Sequence, residues 1–250
     1  MGSVTRMIPL EAALIFGGGL FAGFINSMAG GGSLLTVPLL SLAGVSGLLA
    51  NGTNRVAVLL QNVGSGYGYS RRRIARVDQV LPILVPAMVG GLVGALIVSR
   101  VDDELFERIF GVLMLPMLAL SLWKPKNEKG PETWPTAVNV GVFFALGVYA
   151  GAIQAGVGLI LLMLLGRAGY DLVTANAIKT YVILGVTAIA VAVFAFESQV
   201  VWLPALVLSA GMTLGEYIGS QVAVEGGDRV IKPVLVISVI VLTGRMIGLY

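Results

Sequence analysis

Apolar residues run in long stretches along this chain, separated by short polar or glycine-rich breaks. The runs occupy about residues 8–28, 33–46, 50–69, 79–99 and 105–123, then 135–155, 157–168, 174–195, 200–223 and 230–249. Most are close to the roughly 20 residues a helix needs to cross a bilayer. Runs 33–46 and 157–168 are short for a span and are expected as broken or re-entrant helices. No run alternates with period 2, so strands and a membrane barrel are not expected. The pattern predicts an all-α polytopic membrane protein. The longest polar stretch, with Pro125 and Pro131, lies between the fifth and sixth runs. It divides the chain into a first transmembrane repeat (1–123), a linker (124–134) and a second transmembrane repeat (135–250).

The halves read as copies of each other. Gly23-Phe24-Ile25-Asn26-Ser27 aligns with Gly151-Ala152-Ile153-Gln154-Ala155, and Ala50-Asn51-Gly52 with Ala175-Asn176-Ala177. Gly90-x-x-x-Gly94 aligns with Gly215-x-x-x-Gly219, and Asp103 with Asp228. Four matches in order, at nearly constant separation, indicate an internal duplication. With five runs in each half, an odd number, the second copy is inverted relative to the first. Inverted repeats characterise many secondary transporters, whose sites lie at the repeat interface near mid-membrane.

Composition reinforces the membrane reading. Hydrophobic residues make up 57% of the 250 positions and charged residues 12%, about half the share of an ordinary soluble domain. Mean hydropathy is +0.93. There is no cysteine and no histidine, which removes thiolate chemistry, the commonest general base and the commonest metal ligand. No P-loop, Gly-x-Ser-x-Gly or pair of membrane aspartates is present. An enzyme, a cofactor and a metal are therefore not expected, and neither is ATP-driven transport by this chain alone. Gly17, Gly19 and Gly23 can be forced into a dinucleotide fingerprint, but they follow no strand.

The cations set orientation. Arg71, Arg72, Arg73, Arg76, Lys124, Lys126, Lys129, Arg167, Arg229 and Lys232 fall on one side of the predicted topology; Arg6, Arg100, Arg108 and Arg245 fall on the other. The positive-inside rule places the first set, linker included, in the cytoplasm and both termini outside. The net charge of +3 follows from this topology, and no nucleic-acid partner is expected. The expected partners are the lipid bilayer and a small anion. The Gly90 and Gly215 patterns serve helix packing within the chain or between copies in a homo-oligomer.

Arg55 and Lys179 remain, each about one turn into a predicted span and each just after an asparagine, Asn51 and Asn176. A cation at membrane depth costs several kcal/mol without a partner or water. One reading is snorkelling or a structural salt bridge. The other is a pair of cations, one per repeat, facing a common anion, with arginine as a two-pronged donor and lysine as a point charge. Asn51, Asn54 and Gln61 share a face with Arg55's helix, and Asn176 repeats that face beside Lys179. Asn26 and Gln154 stand just before the glycine breaks. At the first break, Gly31, Gly32 and Ser33 suit an unwound turn and a fresh helix N-terminus, which offers free N–H groups to an anion. These residues form the candidate substrate site. Glu216, the one carboxylate well inside a predicted span, is a static partner for Lys179 or Arg55, or a proton carrier.

The stretch Gly23-Phe24-Ile25-Asn26-Ser27-Met28-Ala29-Gly30-Gly31-Gly32-Ser33-Leu34-Leu35-Thr36-Val37-Pro38 resembles the TauE/SafE sulfite-exporter family of bacterial membrane proteins. So do Ala50-Asn51-Gly52-Thr53-Asn54-Arg55 and the second-half echo at Gly151 and Asn176-Ala177-Ile178-Lys179. The second-half break, Gly156-Val157-Gly158-Leu159, carries less glycine than the family pattern. The resemblance implies export of sulfite or a small organosulfur anion such as a sulfonate across the bacterial inner membrane. The residues by themselves point to an anion carrier working by alternating access, with proton coupling through Glu216 as an addition. The alternatives are a passive oxyanion channel and a non-transporting membrane subunit that binds a lipid or a partner protein.

Overall fold

The computed structural model describes residues 8–29, 32–122, 135–222 and 236–246, except 238 and 245. In order, the helices bounded within these residues are α1 (Pro9–Ala29), α2 (Ser33–Leu42), α3 (Gly47–Arg71), α4 (Val77–Val98), α5 (Asp103–Leu122), α6 (Thr136–Ala152), α7 (Val157–Arg167), α8 (Leu172–Phe196) and α9 (Trp202–Val222). The described positions of 236–246 are helical as well, and no strand occurs among the described residues. Each helix coincides with one apolar run of the sequence. The linker 124–134, Asp228 and the cations at 229, 232 and 245 lie outside the described residues.

Helices α1, α4 and α8 are long and apolar enough to cross a membrane. The two short runs fold as separate short helices. With 10 residues in α2 and 11 in α7, each spans roughly 15 Å at 1.5 Å per residue, about half a bilayer core. Much of the outer surface is apolar, with Leu14, Val85, Val89, Ile97, Leu206 and Ile240 all exposed. A soluble protein rarely exposes so many large apolar side chains, but a lipid-facing one does.

The helices pair across the two halves. α1 packs along α9, α4 along α6, and α3 against α8. Glycines make the first two pairings close. A Cβ on Gly23 would stand 2.1 Å from the Met212 carbonyl oxygen, and one on Gly215 would stand 1.9 Å from that of Leu20. Likewise Gly90 faces the Phe144 carbonyl at 2.1 Å, Gly94 that of Val148 at 2.0 Å, and Gly151 that of Gly91 at 2.0 Å. The Gly90 motif and Gly215 therefore pack helices within the chain. Contacts rise in register along both partners: Gly19 meets Leu208 and Gly23 meets Met212; Gly90 meets Phe144 and Gly94 meets Val148. Both pairs consequently run parallel.

Two apolar clusters fill the interior. One joins Ile25, Leu34, Leu40, Phe106, Phe110, Met114, Leu208 and Met212; the other joins Ile83, Ala87, Phe143, Leu161, Leu165, Ile178 and Val182. Buried polar groups concentrate on α3, α8 and the α6–α7 junction.

Candidate functional site

The α6–α7 junction shows why this sequence breaks a helix there. Gln154 has φ 64° and Gly156 φ 72°. The left-handed region is open to glycine but strained for glutamine. Gln154 is nevertheless buried, and its Nε2 donates to Thr187 Oγ1 of α8 at 3.0 Å. Tyr149 Oη donates to the Ala155 carbonyl at 2.5 Å, across the same junction.

The break leaves the last carbonyls of α6 without helical partners. Helix α3 supplies them. Asn51 Nδ2 donates to the Ala152 carbonyl at 3.0 Å. Arg55 Nη2 donates to the Gly151 carbonyl at 2.9 Å, and Nη1 donates to the Ala150 carbonyl and to Gln154 Oε1. The guanidinium lies 5.7 Å from the centre of the Phe194 ring. A cation at a helix C-terminus is also favoured by the helix dipole. Arg55 is fully buried, and only its Nε lacks a partner.

Lys179 has different neighbours. Half-buried on α8, its Nζ donates to Asn176 Oδ1 at 2.9 Å, and Asn176 Nδ2 donates to the Leu172 carbonyl of its own helix at 2.9 Å. The lysine stem runs past the start of α7, where a Cβ on Gly158 would meet its Cδ at 3.6 Å. Glu216 of α9 attracts Lys179 and faces Gln61 and Tyr69 of α3. Lys179 and Glu216 do not touch. The ion pairs within 4.0 Å among the described residues are Arg76–Asp78 and Arg108–Glu104, both on the surface. Of the two cations, then, Lys179 is the one set opposite Glu216, while Arg55 serves main-chain carbonyls.

The remaining predicted site residues divide between these clusters. Asn54 is buried on α3 with Oδ1 unpartnered, as is Asn51 Oδ1. Gln61 is buried with Nε2 unpartnered. Half-buried Asn26 lies on α1, at the level of Glu216 in the α1–α9 register. Gly32 is buried against α1, where a Cβ would stand 1.9 Å from the Ala22 carbonyl oxygen. Gly31 lies outside the described residues; so does the side chain of Ser33, whose backbone opens α2.

A cavity of about 10 Å³ sits between the α6–α7 junction and α8, lined by Ala150, Gln154, Val157, Val182, Ile183, Val186 and Thr187. That is about the space of one water. Sequence reasoning missed Thr187, Phe194 and Tyr149 as partners of this junction. Each sits in an apolar run and reads as packing until the chain is folded.

The profile of the sulfite exporter TauE/SafE family matches residues 15–246. The chain belongs to this family. It is 29% identical over 240 residues to a Sinorhizobium protein named "Probable membrane transporter protein ORF9", covering 94% of this chain and 92% of that one. A Haemophilus influenzae protein named "Probable membrane transporter protein" is 27% identical over 239 residues, covering 94% of each. Escherichia coli "Probable membrane transporter protein YfcA" is 28% identical over 252 residues, covering 98% of this chain and 93% of the relative. No solved structure matches the chain. As a TauE/SafE protein it is a multi-pass membrane transporter and not an enzyme.

Proposed function

We propose that the protein is a secondary transporter carrying sulfite or a small organosulfur anion such as a sulfonate out across the bacterial inner membrane by alternating access. The observation that carries this reading is Lys179. It is a half-buried cation on a membrane helix, and its hydrogen bond goes to an amide, Asn176, with no carboxylate in contact among the described residues. A membrane-depth cation left without a counter-charge at contact distance marks a substrate or ion path. Asn176 supplies an amide beside it, and the N-terminus of the short helix α7, along which the lysine stem runs, adds backbone donors. Arg55, Asn51 and Gln154 hold the α6–α7 break in shape beside it. The cavity at Gln154, next to this break, takes no more than a water.

Two halves, 1–123 and 135–250, moving against each other suit the cross-half pairing. Parallel packing of α1 on α9 and of α4 on α6 is what two inverted copies would produce. The distribution of cations supports cytoplasmic basic loops and extracytoplasmic termini. Glu216, opposite Lys179, would couple the movement to protons. The test is uptake of radiolabelled sulfite, and of a panel of alkanesulfonates, into proteoliposomes. Saturable uptake with counterflow is expected of a carrier. Uptake linear in concentration without counterflow would make it a channel, and no flux of any of these anions through folded protein would overturn the reading.

A further inference from the structure

We infer that Arg55 is a tethered counterpart of a coupling cation: its guanidinium fills the place at the α6–α7 break where sodium-coupled carriers hold sodium, so this protein moves its anion without sodium. The inference rests on the transport reading above and specifies its coupling. In carriers built on broken helices, the C-terminal end of a half-helix and the unwound carbonyls beside it coordinate the coupling cation. Helix α6 ends in this way. Left-handed backbone at Gln154 and Gly156 turns the chain out of the helix. The C-terminal dipole and the freed carbonyls both favour a positive charge there.

The carbonyls at this end show where that charge comes from. The Tyr149 carbonyl accepts from the N–H groups of Ile153 and Gln154, at 2.8 and 3.3 Å. The Ala152 carbonyl accepts from Asn51. Those of Ala150 and Gly151, with Gln154 Oε1, accept from Arg55, so three oxygens of one helix end converge on one guanidinium. The Phe194 ring lies beside it. An amide suffices for Ala152, so hydrogen bonding alone does not call for a charge at its neighbours. A full charge is buried here nonetheless, with no carboxylate within 4.0 Å among the described residues. Its surroundings are those of a coordinated cation: main-chain oxygens, an amide oxygen and a helix end. The difference is the tether. Arg55 belongs to α3, so it is released at neither membrane face, and the break needs no ion from solution.

Two measurements test this. The first is counterflow of radiolabelled sulfite by wild type in proteoliposomes, with sodium, potassium or choline as the only bulk cation. The rates should agree, which is a coupling factor of about 1 between sodium and anion. A wild-type rate that requires sodium would overturn the inference. No counterflow of sulfite or of any alkanesulfonate would instead overturn the transport reading beneath it. The second measurement needs no transport. Arg55→Ala removes, beyond Cβ, the atoms of ethylguanidinium. Ethylguanidinium in the millimolar range should shift the variant's thermal midpoint in detergent upward, further with each increase in concentration, and should not raise that of wild type. Ethylurea has nearly the same shape and no charge, and it should give no shift. Equal rescue by ethylurea, or none by ethylguanidinium, would show that the vacated space does not select a cation and would overturn the inference. If Arg55→Ala yields no folded protein, the sodium comparison in wild type decides by itself.

Discussion

Nη2 of Arg55 lies 2.9 Å from the main-chain oxygen of Gly151, at the last turn of α6. The guanidinium also engages Ala150 and Gln154, so one side chain from the first half closes the end of a helix in the second. Arg55→Ala leaves those carbonyls buried and unpaired. Hydrogen bonds to charged groups contribute about 1.5–3 kcal/mol each, and a loss of several kcal/mol is expected. Arg55→Lys should rescue little, because an ammonium cannot reproduce the planar fork. Thermal unfolding in detergent, followed by size exclusion with no anion present, checks this. An unchanged midpoint in Arg55→Ala would return the arginine to the substrate site.

Close helix pairing makes a sharp division among the glycines. Gly23→Ala and Gly90→Ala would each put a Cβ 2.1 Å from a facing carbonyl oxygen. The helices must then separate, at about 1–3 kcal/mol. Gly17→Ala and Gly141→Ala meet nothing within 4 Å and should be neutral or stabilise by up to about 1 kcal/mol through helix propensity. Melting temperatures of the four variants, measured side by side, test the pairing directly.

Local order was written plainly in the sequence; partnership was not. The runs at 79–99 and 157–168 emerge as α4 (Val77–Val98) and α7 (Val157–Arg167), because an apolar run bounded by polar residues has little other choice in lipid. That Gly90 packs against Phe144 rather than against another copy depends on which helices meet, and a spacing motif is silent on that. The same limit applied to the cations. Arg55 and Lys179 occupy nearly equivalent places in the repeats and invite a symmetric pair. Their partners nevertheless differ: a helix end for Arg55, and Asn176 with Glu216 opposite for Lys179. Gln154 shows a further gap. Its left-handed backbone is imposed by the tertiary contacts of the junction, and glutamine carries no local signal for it.

Lys179→Ala removes a charge whose hydrogen bond goes only to Asn176. A charge-assisted contact to substrate contributes about 1.5–3 kcal/mol, so uptake should fall roughly ten- to a hundredfold. The melting temperature should stay near that of wild type, in contrast to Arg55→Ala. Lys179→Arg keeps the charge and should retain part of the uptake. A Lys179→Ala protein that unfolds as readily as Arg55→Ala would make this lysine structural.

Asp171 offers a pH test outside the membrane helices. It is the N-cap of α8, and its Oδ1 accepts from the main-chain N–H groups of Val173 at 3.0 Å and Thr174 at 3.1 Å. The Thr174 side chain and these N–H groups hold its carboxyl below the usual aspartate range. The folded state therefore binds the proton more weakly than the unfolded chain does. The stabilisation is present above the unfolded carboxyl's pKa and is lost as pH falls through the folded one. Asp171→Ala should lower the melting temperature at neutral pH, since the Val173 and Thr174 N–H groups lose their acceptor. The gap to wild type should narrow as the solution is acidified through the carboxylate range. Asp171→Asn, which caps without charge, should sit between the two at neutral pH and show no such narrowing of its own. A wild-type advantage that is constant across acid pH would mean that the carboxylate's charge contributes nothing at this helix start.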